Sequence, residues 1–171
     1  GVVVHAEHFS ANNVDDQYIL WNNYYEYQFT NADKVDFFIV ATDRQKEILA
    51  EQFAKYTNHQ PAIYTIPVGS LASLPQNENR APFSMITASR LATEKHIDWL
   101  VRAVVRAKKE LPELSFDIYG KGGEEGKLRS LIDDLGAADY IHLKGHANLE
   151  EIYKNYEVYL SASTSEGFGL T

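Results

Sequence analysis

The chain of 171 residues contains no cysteine. That removes disulfides, thiol nucleophiles and thiolate zinc sites at once. It fits a reducing compartment without requiring one. Positive charge is also scarce, with 16 Lys and Arg against 24 Asp and Glu and a formal net charge of −8. A nucleic-acid partner needs a basic surface that displaces counterions, and no stretch gathers the Lys and Arg for one. A local basic pocket for a small phosphate ligand stays open. No apolar run approaches the ~18 residues of a membrane span, and the first residues do not have the form expected of a secretory leader.

What is present has the balance of a folded protein, with 44% hydrophobic and 23% charged residues. Val2 to Val4 reads as a buried strand that passes into His5-Ala6-Glu7-His8-Phe9, and an aromatic, amide-rich stretch from Tyr18 to Tyr27 follows. A second strand is predicted over 35–41. Thr42-Asp43-Arg44-Gln45 then has the form of a capping box ahead of a helix through Ile48, Leu49 and Phe53. A short strand over 63–66 leads to residues 70–82, whose Ser, Pro, Asn and Gln read as a linker.

Beyond that linker the pattern alternates. Strands are predicted over 84–88, 116–119, 140–143 and 158–162. One helix is marked by Ile97, Leu100, Val101, Val104, Val105 and Leu111. Another runs through Leu128, Leu131, Ile132 and Leu135 to a stop at Gly136, and a short one covers 149–153. Alternation with such short connections predicts an α/β fold, a parallel sheet with helices on both faces. The strand at the very start, and the Gly-rich turn of Glu166-Gly167-Phe168-Gly169-Leu170-Thr171 at the end, lead us to expect a piece of a longer protein.

Sheets of this kind bind ligands beyond the carboxyl ends of their strands. The loops there hold Ser89-Arg90-Leu91-Ala92-Thr93-Glu94-Lys95, Gly120-Lys121-Gly122-Gly123, Gly145-His146 and Ser163-Thr164-Ser165-Glu166-Gly167-Phe168-Gly169. The Arg90 guanidinium can fork onto phosphate oxygens and Lys95 adds a compact charge nearby. The plain alternative is a pair of solvated loop cations. Gly120 and its neighbours let backbone approach a ligand closely. Their spacing is not the dinucleotide fingerprint, and Glu124 and Glu125 suit an ordinary helix start.

Glu166 can accept hydrogen bonds from sugar hydroxyls, or simply face solvent in a turn. His5 and Glu7 share one strand face and His8 the other, which is not metal-ligand spacing, so a packed, hydrogen-bonded histidine is the default. The tyrosines from Tyr18 to Tyr27 read as core or interface. Asp-x-Asp occurs nowhere, so the usual carboxylate pair for a divalent metal on a diphosphate is missing. Arg90 and Lys95 would neutralise the phosphates instead.

Ser89-Arg90-Leu91 with Lys95, Gly120 after its strand, Gly145-His146, and Ser165-Glu166-Gly167-Phe168-Gly169 together resemble the retaining glycosyltransferases of family 4, whose fold is GT-B. The first half, with Val-Val-Val-His-Ala-Glu-His-Phe, Ile-Leu-Trp-Asn-Asn-Tyr-Tyr and Asn-Ala-Asp-Lys-Val-Asp-Phe-Phe-Ile-Val, is similar to one subgroup, the accessory-secretion O-GlcNAc transferases of streptococci and related cocci. The resemblance implies two Rossmann-like domains, both incomplete here. Residues 1–72 would come from the acceptor-side domain, 73–82 would be the linker, and 83–171 would open the nucleotide-sugar-binding domain.

It further implies transfer of N-acetylglucosamine from UDP-GlcNAc to Ser and Thr of serine-rich-repeat adhesins, without a metal. A GtfB-like partner subunit is expected, and a cytoplasmic location, peripheral to the membrane at most. Carried over by position, Arg90 and Lys95 would bind the UDP diphosphate and stabilise the leaving group. Gly120, Gly145 and His146 would meet the nucleotide, the last two against the uracil. Glu166 with Gly167, Phe168 and Gly169 would hold the sugar hydroxyls, and His5 would reach the sugar from the other domain. The family's second Glu after Glu166, its Gly-rich loop on the first strand and the subgroup's added β-rich segment fall outside this sequence, so the chain alone is expected to be inactive or nearly so.

Three rivals stand beside this reading. A poly(glycerol-phosphate) or teichoic acid α-glucosyltransferase would share Arg90, Lys95 and Glu166. A non-catalytic peptide-binding partner subunit would have no need of all three. An NAD-dependent Rossmann enzyme is disfavoured by the absent fingerprint.

Overall fold

A computed structural model describes residues 29–67, 69 and 79–164. They fall into two compact units, residues 29–69 in one and 79–164 in the other. In the first, β1 (Phe37–Val40) and β2 (Ala62–Thr65) pair in parallel, Phe37 opposite Ala62 and Val40 opposite Thr65. The connection between them is α1 (Asp43–Tyr56). Its start is the capping box the sequence predicts. The Thr42 hydroxyl accepts from the Gln45 N–H at 3.1 Å, and Gln45 Oε1 accepts from the N–H groups of Ala41 and Thr42. That reciprocity explains why a glutamine is buried there. Ile48, Leu49 and Phe53 form one helical face against Phe38, Val40 and Phe29, with Phe53 4.9 Å from Phe38 and 5.1 Å from Phe29 between ring centroids.

The second unit is a parallel sheet of β3 (Ser84–Ala88), β4 (Ser115–Tyr119), β5 (Ile141–Gly145) and β6 (Val158–Tyr159), in the order β5-β4-β3-β6. The connecting helices are α2 (Ile97–Ala107), α3 (Glu125–Asp134) and α4 (Leu149–Ile152). Strand alternation decides what covers each face. Phe116 and Ile118 point into the core made with Val101, Val104, Leu128 and Ile132 of α2 and α3. Ile86, Ala88 and Tyr119 point the other way, toward Leu149 and Ile152 of α4 and the following Tyr153 and Tyr156. The predicted α/β sheet with helices on both faces is therefore present.

Boundaries differ from the sequence pattern where local chemistry competes. Leu111 lies outside α2 and is more than a third exposed. It precedes Pro112, and a residue before proline is driven out of the helical region. α3 stops as predicted at Gly136, whose φ of +60° lets the Ala137 N–H reach back to Ile132 O at 2.9 Å. β6 is shorter than the predicted 158–162, although the Leu160 N–H still bonds to Ile86 O at 2.8 Å. The strand predicted over Val2 to Val4 and the tyrosines of 18–27 lie outside the described residues, as do most of residues 70–82.

Candidate functional site

The chain runs outward from β3 through β4 to β5, then crosses back to place β6 on the other side of β3. The reversal opens a crevice beyond the carboxyl ends of β3 and β6, where open α/β sheets take their ligands. A groove of about 350 Å³ lies at the carboxyl ends of β3, β4 and β5, lined by Ser89, Arg90, Tyr119, Gly120, Lys121 and His146 among others. A larger hollow of about 520 Å³ lies on the flank between α2 and α3, where Arg102 and Lys127 alternate with Asp98 and Asp134. The first sits on the rim, and its lining among the described residues includes the cations Arg90 and Lys121 and no carboxylate.

Three loops build that rim by bonding to one another. Ser89 N–H donates to Tyr119 O at 3.1 Å, Leu91 N–H to Lys121 O at 3.0 Å, and Gly120 N–H to Gly145 O at 2.8 Å. Glycine is required where they touch. Gly120 has φ +137°, and a Cβ there would lie 1.8 Å from Ser89 O. A Cβ on Gly122 would lie 2.2 Å from Leu91 O. The space that these two glycines free is thus filled by the Ser89–Leu91 backbone rather than by a ligand. Gly145, at φ +72°, sits at a register shift in β5 and hands the chain on to His146.

Arg90 is exposed and held in place. Its Nη2 donates to Glu94 Oε1 at 2.6 Å, leaving most of the guanidinium donors directed elsewhere. Burial pushes the Glu94 carboxyl upward, but its own backbone N–H and the Arg90 hydrogen bond and charge, with Lys95 adding to them, outweigh that and hold it below the ordinary carboxylate value. Lys95 closes the 3-10 turn Thr93–Lys95, its N–H donating to Ala92 O at 3.0 Å, and it is not among the groove-lining residues.

The floor is stiffened from below. Tyr119, the last residue of β4, lies with its hydroxyl 3.2 Å from that of Tyr156, which donates a short hydrogen bond to Asp117. Since that donation uses the one Tyr156 proton, Tyr119 is the donor to Tyr156. Asp117 also accepts from His142 Nδ1 at 2.8 Å and lies 3.9 Å from Lys144 Nζ. Burial, and then the bonds to Asp117 and Tyr119, push the Tyr156 hydroxyl well above the ordinary tyrosine range.

Of the residues singled out from sequence, the structure brings Arg90, Gly120 and His146 to one groove and places Gly145 directly behind it. His5, Glu166, Gly167, Phe168 and Gly169 lie outside the described residues. Two contributors were missed. Lys121 lines the groove, and its signal was a cation between glycines on the correct rim. Glu94 orients Arg90, and its signal was the four-residue Arg–Glu spacing. Among the described residues no group of three or more His, Asp or Glu gathers as for a metal ion, and no helix is long and apolar enough to cross a membrane.

A doubly wound parallel sheet with a groove lined by Arg90 and Lys121 at the carboxyl ends of β3, β4 and β5 defines an α/β protein of the Rossmann-like kind. The glycosyl transferases group 1 family model matches residues 74–171, and the chain belongs to that family. Among curated relatives, the GtfA subunit of UDP-N-acetylglucosamine–peptide N-acetylglucosaminyltransferase from Streptococcus pneumoniae serotype 4 is 71% identical over 171 residues, covering 99% of this chain and 34% of the relative. The solved pneumococcal O-GlcNAc transferase GtfA in complex with UDP and GlcNAc superposes with a TM-score of 0.85 at 71% identity, over 98% of this chain and 33% of that one. A GtfA/B complex superposes with a TM-score of 0.76 at 69% identity, over 98% and 34%. The fold resembles that of GT-B glycosyltransferases, and the chain spans about a third of the length of these relatives.

Proposed function

We propose that this chain carries part of the donor site of a retaining glycosyltransferase that moves N-acetylglucosamine from UDP-GlcNAc to Ser and Thr hydroxyls of serine-rich-repeat adhesins. The observation that supports it is the groove holding Arg90, Lys121, Gly120 and His146 at the carboxyl ends of β3, β4 and β5 in a chain 71% identical to a protein crystallised with UDP and GlcNAc. In the reaction the bond from the sugar's anomeric carbon to the diphosphate oxygen breaks. A new bond forms to the acceptor oxygen on the same face, and the hydroxyl proton is released. Charge then builds on departing UDP, where preorganised cations do most. Arg90 and Lys95 take that role, and no metal is needed in this scheme.

Gly120, Gly145 and His146 shape the nucleotide side. Glu166 with Gly167, Phe168 and Gly169, and His5, take the sugar. A GtfB-like subunit presents the acceptor polypeptide, and the complex works in the cytoplasm, peripheral to the membrane at most. The test uses the intact protein with its partner subunit, a Ser/Thr-rich peptide, UDP-GlcNAc or UDP-glucose, and EDTA throughout. The peptide gains the mass of N-acetylhexosamine from UDP-GlcNAc alone. Transfer of glucose to a glycerol-phosphate polymer with no peptide product would replace this reading by the teichoic acid one. No transfer from either donor to either acceptor, with the partner complex assembled, would replace it by the scaffold reading.

A further inference from the structure

His96 has a backbone that a β-carbon disfavours, φ +46° and ψ +43°, at the position joining the Thr93–Lys95 turn to α2. Such strain in a non-glycine residue persists only where the surroundings enforce it. Two contacts do so. The imidazole stacks on Trp99, ring centroids 4.0 Å apart and planes 20° from parallel. Its Nε2 lies 3.2 Å from the Thr164 hydroxyl.

Thr164 in turn grips the turn itself. Its N–H donates to Glu94 O at 3.1 Å and its hydroxyl reaches the same oxygen at 3.4 Å. The hydroxyl and the imidazole Nε2 share one hydrogen bond, whose donor is set by the His96 tautomer. Glu94 is the residue whose carboxylate holds Arg90 at 2.6 Å. A continuous chain of contacts therefore runs from His96 through Thr164 and Glu94 to Arg90. It ties the loop after β6 to the loop after β3, the two loops that bound the switch point. Ser165 and Glu166 follow Thr164 directly in sequence.

The geometry points to His96 and Thr164 as positioning residues that clasp these loops together and fix the Arg90 guanidinium for a nucleoside diphosphate. The clasp rests on the donor reading of Arg90. A histidine here gives up the conformational ease of glycine, and what it gains is the side chain that reaches Thr164.

The experiment measures UDP affinity by calorimetry and thermal stability in the intact protein, for His96→Gly, Thr164→Val and the pair, each with and without Arg90→Ala. Glycine relieves the backbone, so His96→Gly keeps its melting temperature while UDP affinity falls about three- to tenfold, the scale of one lost hydrogen bond. Thr164→Val gives a similar fall. The double variant is no weaker than either single one, and neither substitution weakens binding further once Arg90 is alanine. A merely structural histidine would lower stability and leave these couplings at zero. Unchanged UDP affinity in both variants overturns the clasp alone. No UDP binding by the unaltered protein, or binding indifferent to Arg90→Ala, overturns the donor reading and the clasp with it.

Discussion

Substituting Gly120 by alanine asks whether the rim is built by loops packing on one another. The added Cβ would stand 1.8 Å from Ser89 O and 3.0 Å from its carbonyl carbon. Nonbonded carbon contacts settle near 3.5 Å, so one loop must withdraw by roughly 1.5 Å. The obstacle is backbone and cannot rotate aside. Withdrawal stretches the bonds from Ser89 N–H to Tyr119 O and from Gly120 N–H to Gly145 O.

A backbone at φ +137° costs a non-glycine residue about 1–3 kcal/mol, and forced overpacking adds about 1–3 kcal/mol. A loss of about 4 kcal/mol is expected, a fall in melting temperature on the order of 10 °C, together with weakened UDP binding. Gly123→Ala is the control in the same loop, since its Cβ meets nothing within 4 Å and its stability should hold within about 0.5 kcal/mol. Gly126→Ala, inside α3, should stabilise by about 0.5–1 kcal/mol. If Gly120→Ala melts with the control, the loops are not held as argued.

Arg90→Ala should weaken UDP binding at least tenfold and Arg90→Lys should recover only part of it, because the fork and the bond to Glu94 are lost with the guanidinium; calorimetric titration reads both, and Lys121→Ala in parallel tells how the phosphate charge is shared. Glu94 has a lowered folded value, so its stabilising contribution is present above the ordinary carboxyl value of 4.5 and is lost as pH falls through the lower folded one. Melting temperature against pH should accordingly show a shallower acid limb in Glu94→Gln, and an unchanged limb would refute the pairing with Arg90. Tyr156→Phe removes a hydrogen bond to a carboxylate and should cost about 1.5–3 kcal/mol in thermal unfolding. Tyr153 is the contrast: its hydroxyl is buried with no hydrogen-bond partner among the described residues, burial pushes it up to about 12, and Tyr153→Phe should hold or gain stability by up to about 1 kcal/mol in the same assay.

Much of the fold was legible because it rests on local signals. The capping box of Thr42 and Gln45, the stop at Gly136 and the apolar face of Ile97, Leu100, Val101 and Val104 each depend on residues within a few positions of one another. Alternation in the second half then leaves few topologies, and the rim on which Arg90, Gly120 and His146 meet follows from the sheet rule rather than from any one motif. The Thr164–Glu94 bond and the Tyr156–Asp117–His142 network were not legible. They join residues 70, 39 and 25 positions apart, and no periodicity encodes which polar groups meet across a sheet.

The glycine loop shows why residue type alone misassigns a role. Gly120-Lys121-Gly122-Gly123 ahead of a helix has the look of a backbone cradle for phosphate at a helix N-terminus. In the structure, however, Lys121 O accepts from Leu91 N–H, and the Glu124 N–H at the start of α3 donates to Leu91 O at 3.1 Å. The start of α3 is also occupied by the carboxylates of its N-cap Glu124 and of Glu125, paired with Lys127 and Arg129. The backbone donors of Gly120 and Glu124 on that side hold the loops together, the first on Gly145 O and the second on Leu91 O. In the proposed donor site phosphate recognition rests on side chains, Arg90 from one loop and Lys121 from the next. Because both cations are exposed, it should weaken steeply with ionic strength. UDP affinity that is flat between low and high salt would show the anion held by buried amides instead, and the glycines would regain the role their spacing advertises.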